Sequence, residues 1–225
     1  MKRARHSLSV APALPDWEPD LSALHKRAVL VAVQWAWRQL LSEREFPMSQ
    51  ADEESIRAYL EAKLNAFVDG DRCARWLTDF GAVVRSAKQT SAACSINKQP
   101  DLTFRPNIPY PEVVNLTNWG WFVECKIIDA SHSLGDYRDQ GVRRFSDAEY
   151  AAAMGSAAML GYVRDGQQPK KCLPDLLVGC MGTTNVQAGT ILNEVVSVHS
   201  RPPSDFGRGP IALTHLWLQS TGDSD

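Results

Sequence analysis

The hydrophobic residues in the N-terminal third of the chain recur at helical spacing. Ser22 is placed to cap a long helix that runs to about residue 43, with an almost wholly apolar and therefore buried middle. The residues that carry the helical spacing are Leu24, Ala28, Val31, Trp35 and Leu40.

Two further helices are predicted before residue 85. Residues 52–70 have apolar side chains on one face, and either Ser49 or Asp52 can cap this segment. A shorter helix is predicted over residues 71–81, where a glycine closes it.

The pattern becomes that of strands after residue 100. Short β-rich segments cover residues 101–106 and 119–128, and they predict two adjacent strands. The Ala- and Met-rich segment 143–166 predicts a helix lying on the sheet. Three more strands are predicted, over residues 175–181, 189–202 and 210–220.

These elements predict the α/β class, with a mixed central β-sheet flanked by helices. The basic, proline-containing residues 1–20 are expected to form a flexible or extended N-terminal arm. Residues 21–225 are expected to form one domain, with its C-terminal strands between residues 185 and 220.

Composition permits one substantial core, because the 225 residues are 44% hydrophobic. The net charge of -2 gives no overall attraction to a polyanion, so any affinity for nucleic acid must come from local clusters. The five cysteines form no CxxC pair and indicate reduced thiols in a cytoplasmic protein. No uninterrupted apolar run approaches the roughly 18 residues of a membrane span, so no membrane association is expected.

The informative constellation is Pro100-Asp101, followed 23 residues later by Glu124-Cys125-Lys126 within an apolar segment. Side chains alternate along a strand, so Glu124 and Lys126 should point to one face and Cys125 to the other. Two charged groups in a hydrophobic strand carry a desolvation cost, and a fold rarely accepts it without partners or a use for them.

A divalent cation would provide that use. If Asp101 lies on the neighbouring strand, two carboxylates about 4 Å apart repel by roughly 4 kcal/mol at an effective dielectric constant near 20. Mg²⁺ or Mn²⁺ would be held by Asp101, Glu124 and the carbonyl of Cys125, and a phosphate substrate would complete the site. Lys126 would orient the attacking water or stabilise the charge of the transition state.

At these residues the sequence resembles the PD-(D/E)xK superfamily of restriction-endonuclease-like nucleases, with P-D at 100–101 and E-C-K at 124–126. The resemblance implies an αβββαβ core over roughly residues 50–180 with an added N-terminal helix. It also implies that Asp101, Glu124 and Lys126 are the catalytic residues.

The resemblance extends to residues outside the short motif. Several members of the superfamily place a further metal-linked Glu on the helix before the sheet, which makes Glu54 the candidate and Glu61 its competitor. The region after the catalytic strand carries polar and phosphate-contacting groups in that fold, so Gln140 and Arg144 are candidates for substrate binding. Salt bridges with nearby acidic residues are the alternative role for Arg144.

Two histidines form a second candidate group. His199 and Arg201 alternate on one face of a predicted strand, and His215 lies in the last strand. A His/His/Arg cluster would suit binding of a phosphate or protonation of the 3′ leaving oxygen. The alternative is that both imidazoles are hydrogen-bonded members of the core.

The leading hypothesis is a Mg²⁺-dependent nuclease acting on DNA, as a homodimer or with a partner protein, in restriction, repair or antiviral defence. The second is a catalytically silent subunit that keeps the fold as a nucleic-acid-binding or assembly scaffold. The third is hydrolysis of another phosphoester. The alternative to all three hypotheses is that Asp101 is a turn residue and that Glu124 and Lys126 form a surface ion pair.

Overall fold

A mixed six-stranded β-sheet forms the centre of the structure, a computed structural model, with the strand order β1-β2-β3-β6-β5-β4. The structure describes residues 19–43, 46–68, 79–85, 99–107, 118–164, 169–178, 183–188, 194–201 and 209–220. The helices are α1 (Ala23–Ser42), α2 (Glu53–Val68), α3 (Leu134–Tyr137), a π-helix (Arg138–Val142), α4 (Arg143–Ser146) and α5 (Pro169–Val178). The strands are β1 (Leu102–Phe104), β2 (Trp121–Ile128), β3 (Ser156–Val163), β4 (Thr183–Ala188), β5 (Glu194–His199) and β6 (Ile211–Gln219).

The three central strands are parallel, and the outer strands are antiparallel to their neighbours. β2 pairs in parallel with β3, and β3 in parallel with β6, whereas β1, β5 and β4 make antiparallel pairs. Outside β1, residues 80–84 form two isolated bridges, Phe80 with Pro106 and Val84 with Thr103. Over the described residues from α2 to β3, the elements therefore follow the αβββαβ order, with the first strand reduced to these two bridges. The predicted α/β class with a mixed sheet flanked by helices is confirmed.

Helices cover both faces of the sheet. Trp37 of α1 stacks on Tyr162 of β3 with 5.4 Å between the ring centroids, which places α1 on the face of Tyr162. On the opposite face, the ring of Tyr137 at the end of α3 lies 4.9 Å from that of Trp217 in β6. The predicted cap of α1 is confirmed, because Ser22 accepts a hydrogen bond from the N–H of His25.

For α2, Asp52 accepts from the N–H of Ser55 and so fills the capping position. Buried residues from α1 through β6 form one contiguous hydrophobic cluster. Within the ranges given above, no helix is long and apolar enough to cross a membrane.

The prediction of one helix over residues 143–166 is wrong beyond its first turn. α4 ends at Ser146, and Ser156–Val163 forms β3, which is buried at every position. A central parallel strand is covered on both faces and selects small or apolar residues irrespective of helix propensity. The Ala-rich composition therefore reflects close packing between two helical layers.

The prediction of a strand over residues 175–181 is also wrong where the structure describes it. Residues up to Val178 belong to α5, which contains Pro174 in its interior, and the next strand begins at Thr183. Pro174 is the sixth residue of this helix and has no N–H to donate to the carbonyl four residues earlier, which makes a helix hard to predict here. The predicted arm up to residue 18 and the predicted helix 71–81 up to residue 78 lie outside the described residues.

Close packing at Gly161 of β3 gives a test of this arrangement. A Cβ atom at Gly161 would lie 2.4 Å from Cε3 of Trp217, so Gly161→Ala must displace the indole. We expect it to destabilise the fold by about 1–3 kcal/mol, measured as a lower Tm. Gly155→Ala is the matched control, because its Cβ would meet nothing closer than Asp20 at 4.0 Å. Equal Tm values for both variants would contradict the packing of Trp217 across β3.

Candidate active site

β2 directs Glu124 and Lys126 to the same face of the sheet. The Nζ atom of Lys126 lies 3.1 Å from Oε1 of Glu124, while Cys125 between them points into the core on the other face. Glu124 is only 1% exposed although it carries a carboxyl group. The alternation predicted from the sequence therefore places a buried carboxyl group beside a largely buried amine, and the two do not form an ion pair on the surface.

Asp101 lies beside the same segment of β2. It immediately precedes β1, and its Oδ2 accepts a 2.8 Å hydrogen bond from the N–H of Cys125. The N–H and C=O of one strand residue point to the same neighbouring strand in an antiparallel pair, so the carbonyl of Cys125 also faces the edge of Asp101. Burial raises the pKa of Asp101 above its ordinary value. The structure thus brings Asp101, Glu124 and the Cys125 backbone together.

Glu124 uses only one of its two oxygens. Its Oε1 accepts a 2.6 Å hydrogen bond from Arg144 and contacts Lys126, whereas its Oε2 is buried without a hydrogen-bond partner. Burial, and then the negative charge of Asp101, raise the pKa of Glu124 to about 8. The two cations lower this pKa without cancelling the effect of burial. An additional cation near Oε2 would favour the ionised form.

The acidic residue of α2 that contacts this group is Glu53. Its Oε1 lies 2.7 Å from the Nζ of Lys126. The predicted Glu54 instead binds Arg57 at 2.6 Å, and its side chain is 56% exposed. Glu61, its predicted competitor, also binds Arg57. Neither Glu54 nor Glu61 is brought to Lys126.

A signal for Glu53 was present in the sequence. The buried stripe of α2 contains Ile56, Leu60 and Leu64, and Glu53 precedes Ile56 by three residues. Residues three and four apart share a helix face, so Glu53 continues the stripe that faces the sheet. Glu54, the next residue along the helix, points away from this stripe.

Arg144 on α4 is the second cation on Glu124. Its guanidinium also donates a 2.9 Å hydrogen bond to the hydroxyl of Tyr150, which in turn donates to the carbonyl of Gln99. Both candidate roles of Arg144 remain open, because its side chain is 31% exposed as well as paired with Glu124. Tyr150 was not predicted as a site residue. The segment around it includes Ala148 and Ala151 in the left-handed region, a conformation that the sequence does not indicate.

The π-helix carries Gln140 and Gly141. Gln140 is exposed and donates a long, 3.4 Å hydrogen bond to Asp136, which lies outside the group formed by Asp101, Glu124 and Lys126. Gly141 packs against the sheet, where an added Cβ would lie 2.3 Å from Cε of Met159 and 3.6 Å from Cγ of Lys126. The absence of a side chain at this position allows the π-helix to cover Lys126 closely.

The two predicted histidines meet, but in the core. Ser197 bridges them, with its Oγ 2.6 Å from Nε2 of His199 and 2.7 Å from Nε2 of His215. Further hydrogen bonds extend this network from His215 to the hydroxyl of Tyr137 and from His199 to Thr183. Burial lowers the pKa of His199 to about 4 and that of His215 to about 3, so both are neutral at physiological pH.

This histidine network is separate from the acidic site. In register, Glu124 pairs with Met159 and Met159 with His215, which puts two strand spacings, or roughly 10 Å, between Glu124 and His215. Arg201 donates to the carbonyl of Ala152 and does not join the two imidazoles. The arrangement matches the alternative role of hydrogen-bonded core residues.

The oxygen donors at the acidic site fit Mg²⁺ or Mn²⁺ bound together with a phosphate. In the part of the chain that the structure describes, no three His, Cys, Asp or Glu side chains are arranged as a complete metal site. Mg²⁺ commonly takes one or two carboxylates and completes its shell with water and phosphate oxygens. Asp101, Glu124 with its unpartnered Oε2 and the Cys125 carbonyl supply such a partial set.

Comparisons of the chain with protein-family models, with curated proteins and with solved structures find no match.

The raised pKa of Glu124 predicts a pH dependence of stability. The pKa of Glu124 is about 8 in the folded protein without metal, against an ordinary value of 4.5, so the protein loses stability as the pH rises between these two values. Glu124→Gln removes this titration. The difference between the Tm of Glu124→Gln and that of the wild type, both in EDTA, should therefore increase by several degrees from about pH 5.5 to about pH 8.5. One kcal/mol of stability corresponds to about 2–4 °C in Tm. A difference that does not change with pH would contradict the burial of this carboxyl.

Proposed function

We propose that this protein is a metal-dependent nuclease that hydrolyses phosphodiester bonds, with DNA as its substrate. The observation that carries the proposal is the carboxyl of Glu124, buried with one unpartnered oxygen beside Asp101 and Lys126. A buried acidic group of this kind is costly to the fold, and its perturbed pKa is typical of functional sites. Restriction or antiviral defence remains a prediction from the resemblance of the motif.

Each residue has a distinct role in the proposed reaction. Asp101, Glu124 and the carbonyl of Cys125 would hold Mg²⁺ or Mn²⁺. When bound, the ion would supply Lewis-acid activation of the phosphate and of a water. Burial alone would lower the pKa of Lys126, but the charges of Glu124 and Glu53 outweigh burial and raise it. Lys126 is therefore an ammonium group at neutral pH and suits stabilisation of phosphate charge, not abstraction of a proton.

The alternative is a catalytically silent subunit that serves as a nucleic-acid-binding or assembly scaffold. One observation favours it: Arg144 and Lys126 already neutralise Oε1 of Glu124, as they would in a structural ion-pair network. In that case the acidic group would stabilise the contact between β2 and α4 and would bind no metal ion. The two functions therefore differ in metal binding as well as in cleavage.

Cleavage assays test the proposed enzyme. Linear, circular and single-stranded DNA, and RNA, are incubated with Mg²⁺ or Mn²⁺ and with a chelator control. We expect Asp101→Asn, Glu124→Gln and Lys126→Met each to lower the cleavage rate by on the order of 10²-fold or more, because each removes charge from the reacting centre. Asp175→Asn is the matched control, since Asp175 is exposed on α5. Cleavage that survives all three substitutions would remove this site from consideration.

Calorimetric titration with Mn²⁺ separates the enzyme from the scaffold. A metal-binding site should give saturable binding to the wild-type protein that is weakened in Glu124→Gln and unchanged in Asp175→Asn. Binding without cleavage would indicate an enzyme that lacks its partner or substrate. Equal and negligible binding by all three proteins would favour the scaffold.

A further inference from the structure

Two cations share one oxygen of Glu124, and they differ in their second partners. Lys126 also contacts the carboxylate of Glu53 at 2.7 Å. Arg144 instead makes its second contact with the hydroxyl of Tyr150 at 2.9 Å. Burial raises the pKa of Tyr150 to about 12, so this hydroxyl is neutral at physiological pH. Lys126 would keep its contact with Glu53 if Glu124 were engaged by another cation, whereas Arg144 would lose its closest acidic partner and keep only Glu149, whose effect on its pKa is weaker.

A metal ion on Glu124 would act on these two side chains unequally. Like charges a few ångströms apart in a poorly solvated site repel strongly, so a divalent cation beside Oε2 would repel both. Lys126 is half-buried under Gly141 and anchored by Glu53. Arg144 is more exposed, at 31% against 13% for the side chain of Lys126, so its guanidinium can move toward solvent.

Arg144 also makes a contact that does not involve Glu124. Its guanidinium carbon lies 5.5 Å from the centroid of the Tyr150 ring, within the range of a cation–π contact. Burial alone would lower the pKa of Arg144, but Glu124, Tyr150 and Glu149 together raise it, so the group stays charged. A displaced arginine at the mouth of the site would meet the phosphate that accompanies the metal, and a guanidinium matches phosphate oxygens with paired hydrogen bonds.

We propose that Arg144 is a displaceable partner of Glu124: it occupies Oε1 in the free protein and transfers to a non-bridging phosphate oxygen when metal and nucleic acid bind. This inference rests on the proposed nuclease function and assigns Arg144 to the phosphate backbone of the substrate. Removal of its charge should therefore have opposite effects on the two ligands. Metal should bind more tightly in the absence of nucleic acid, and nucleic acid should bind more weakly.

The test compares three variants with the wild type. Arg144→Gln removes the charge but keeps hydrogen-bonding capacity toward Glu124 and Tyr150, and Arg144→Lys keeps the charge. Arg143→Gln is the matched control, because Arg143 is 65% exposed and pairs with Asp147. Mn²⁺ affinity is measured by calorimetry without nucleic acid. Affinity for a DNA duplex is measured by fluorescence anisotropy with Ca²⁺, across a salt series.

We expect Arg144→Gln to bind Mn²⁺ several-fold more tightly than the wild type and to bind the duplex more weakly, with the salt slope reduced by about 1. Arg144→Lys should retain the Mn²⁺ affinity of the wild type to within about two-fold, since the displaced charge is the same. Arg143→Gln should leave Mn²⁺ affinity unchanged. Tight Mn²⁺ binding by Arg144→Gln where the wild type binds none would also support the inference.

Two outcomes would overturn it, and they are distinguishable. If the wild type binds Mn²⁺ and Arg144→Gln binds it equally or more weakly, Arg144 is not a competitor of the metal, and the proposed nuclease stands without this role. If no protein of the series binds Mn²⁺, the proposed function and this inference fall together. Arginine side-chain NMR tests the wild-type protein and so avoids any effect of a substitution on folding. An Nε–H signal of Arg144 that does not shift when Mg²⁺ and an oligonucleotide are added would also overturn the proposed transfer.

Discussion

The burial of one carboxyl group, that of Glu124 in the middle of β2, is the constraint around which the site is organised. Hydrophobic residues of similar volume could replace a buried ion pair with little loss or even a gain of stability, so the arrangement is not explained by stability alone. Asp101 immediately precedes β1, Arg144 lies on α4, and Glu53 of α2 is linked to Glu124 through Lys126. Three elements distant in the chain therefore converge on a single strand position.

The helical segment that carries Arg144 begins with α3, and a second polar network fixes this end of the segment. The hydroxyl of Tyr137 binds His215 of β6, and Ser197 links His215 to His199. Because α3, the π-helix and α4 follow one another without a break, anchoring Tyr137 on β6 also restricts where Arg144 can lie over β2. A fully satisfied buried network of this kind specifies one packing arrangement. The histidines thus act on the site through the fold, at a distance from its oxygens.

The structural features that the sequence could predict were those with the strongest local periodicity. The alternation in β2 and the proximity of Asp101 required only a strand and its neighbour. The choice between Glu53 and Glu54 required the rotational phase of α2, which depends on which stripe the sheet buries. β3 was missed because burial on both faces selects the small residues that otherwise favour helices. Tyr150 was missed because its position depends on two alanines with positive φ, for which composition gives no signal.

The charge balance gives a physical reason to regard the site as incomplete. Around Lys126 and Arg144 lie the carboxyl groups of Asp101, Glu53 and Glu124, so full ionisation leaves one negative charge in excess. The free protein avoids this excess by holding a proton on Glu124, as its raised pKa indicates. A divalent cation accompanied by one phosphodiester group adds one positive charge and restores neutrality with every acid ionised. A structural ion-pair network would keep the proton on Glu124, whereas the proposed phosphodiesterase would exchange this proton for the divalent cation.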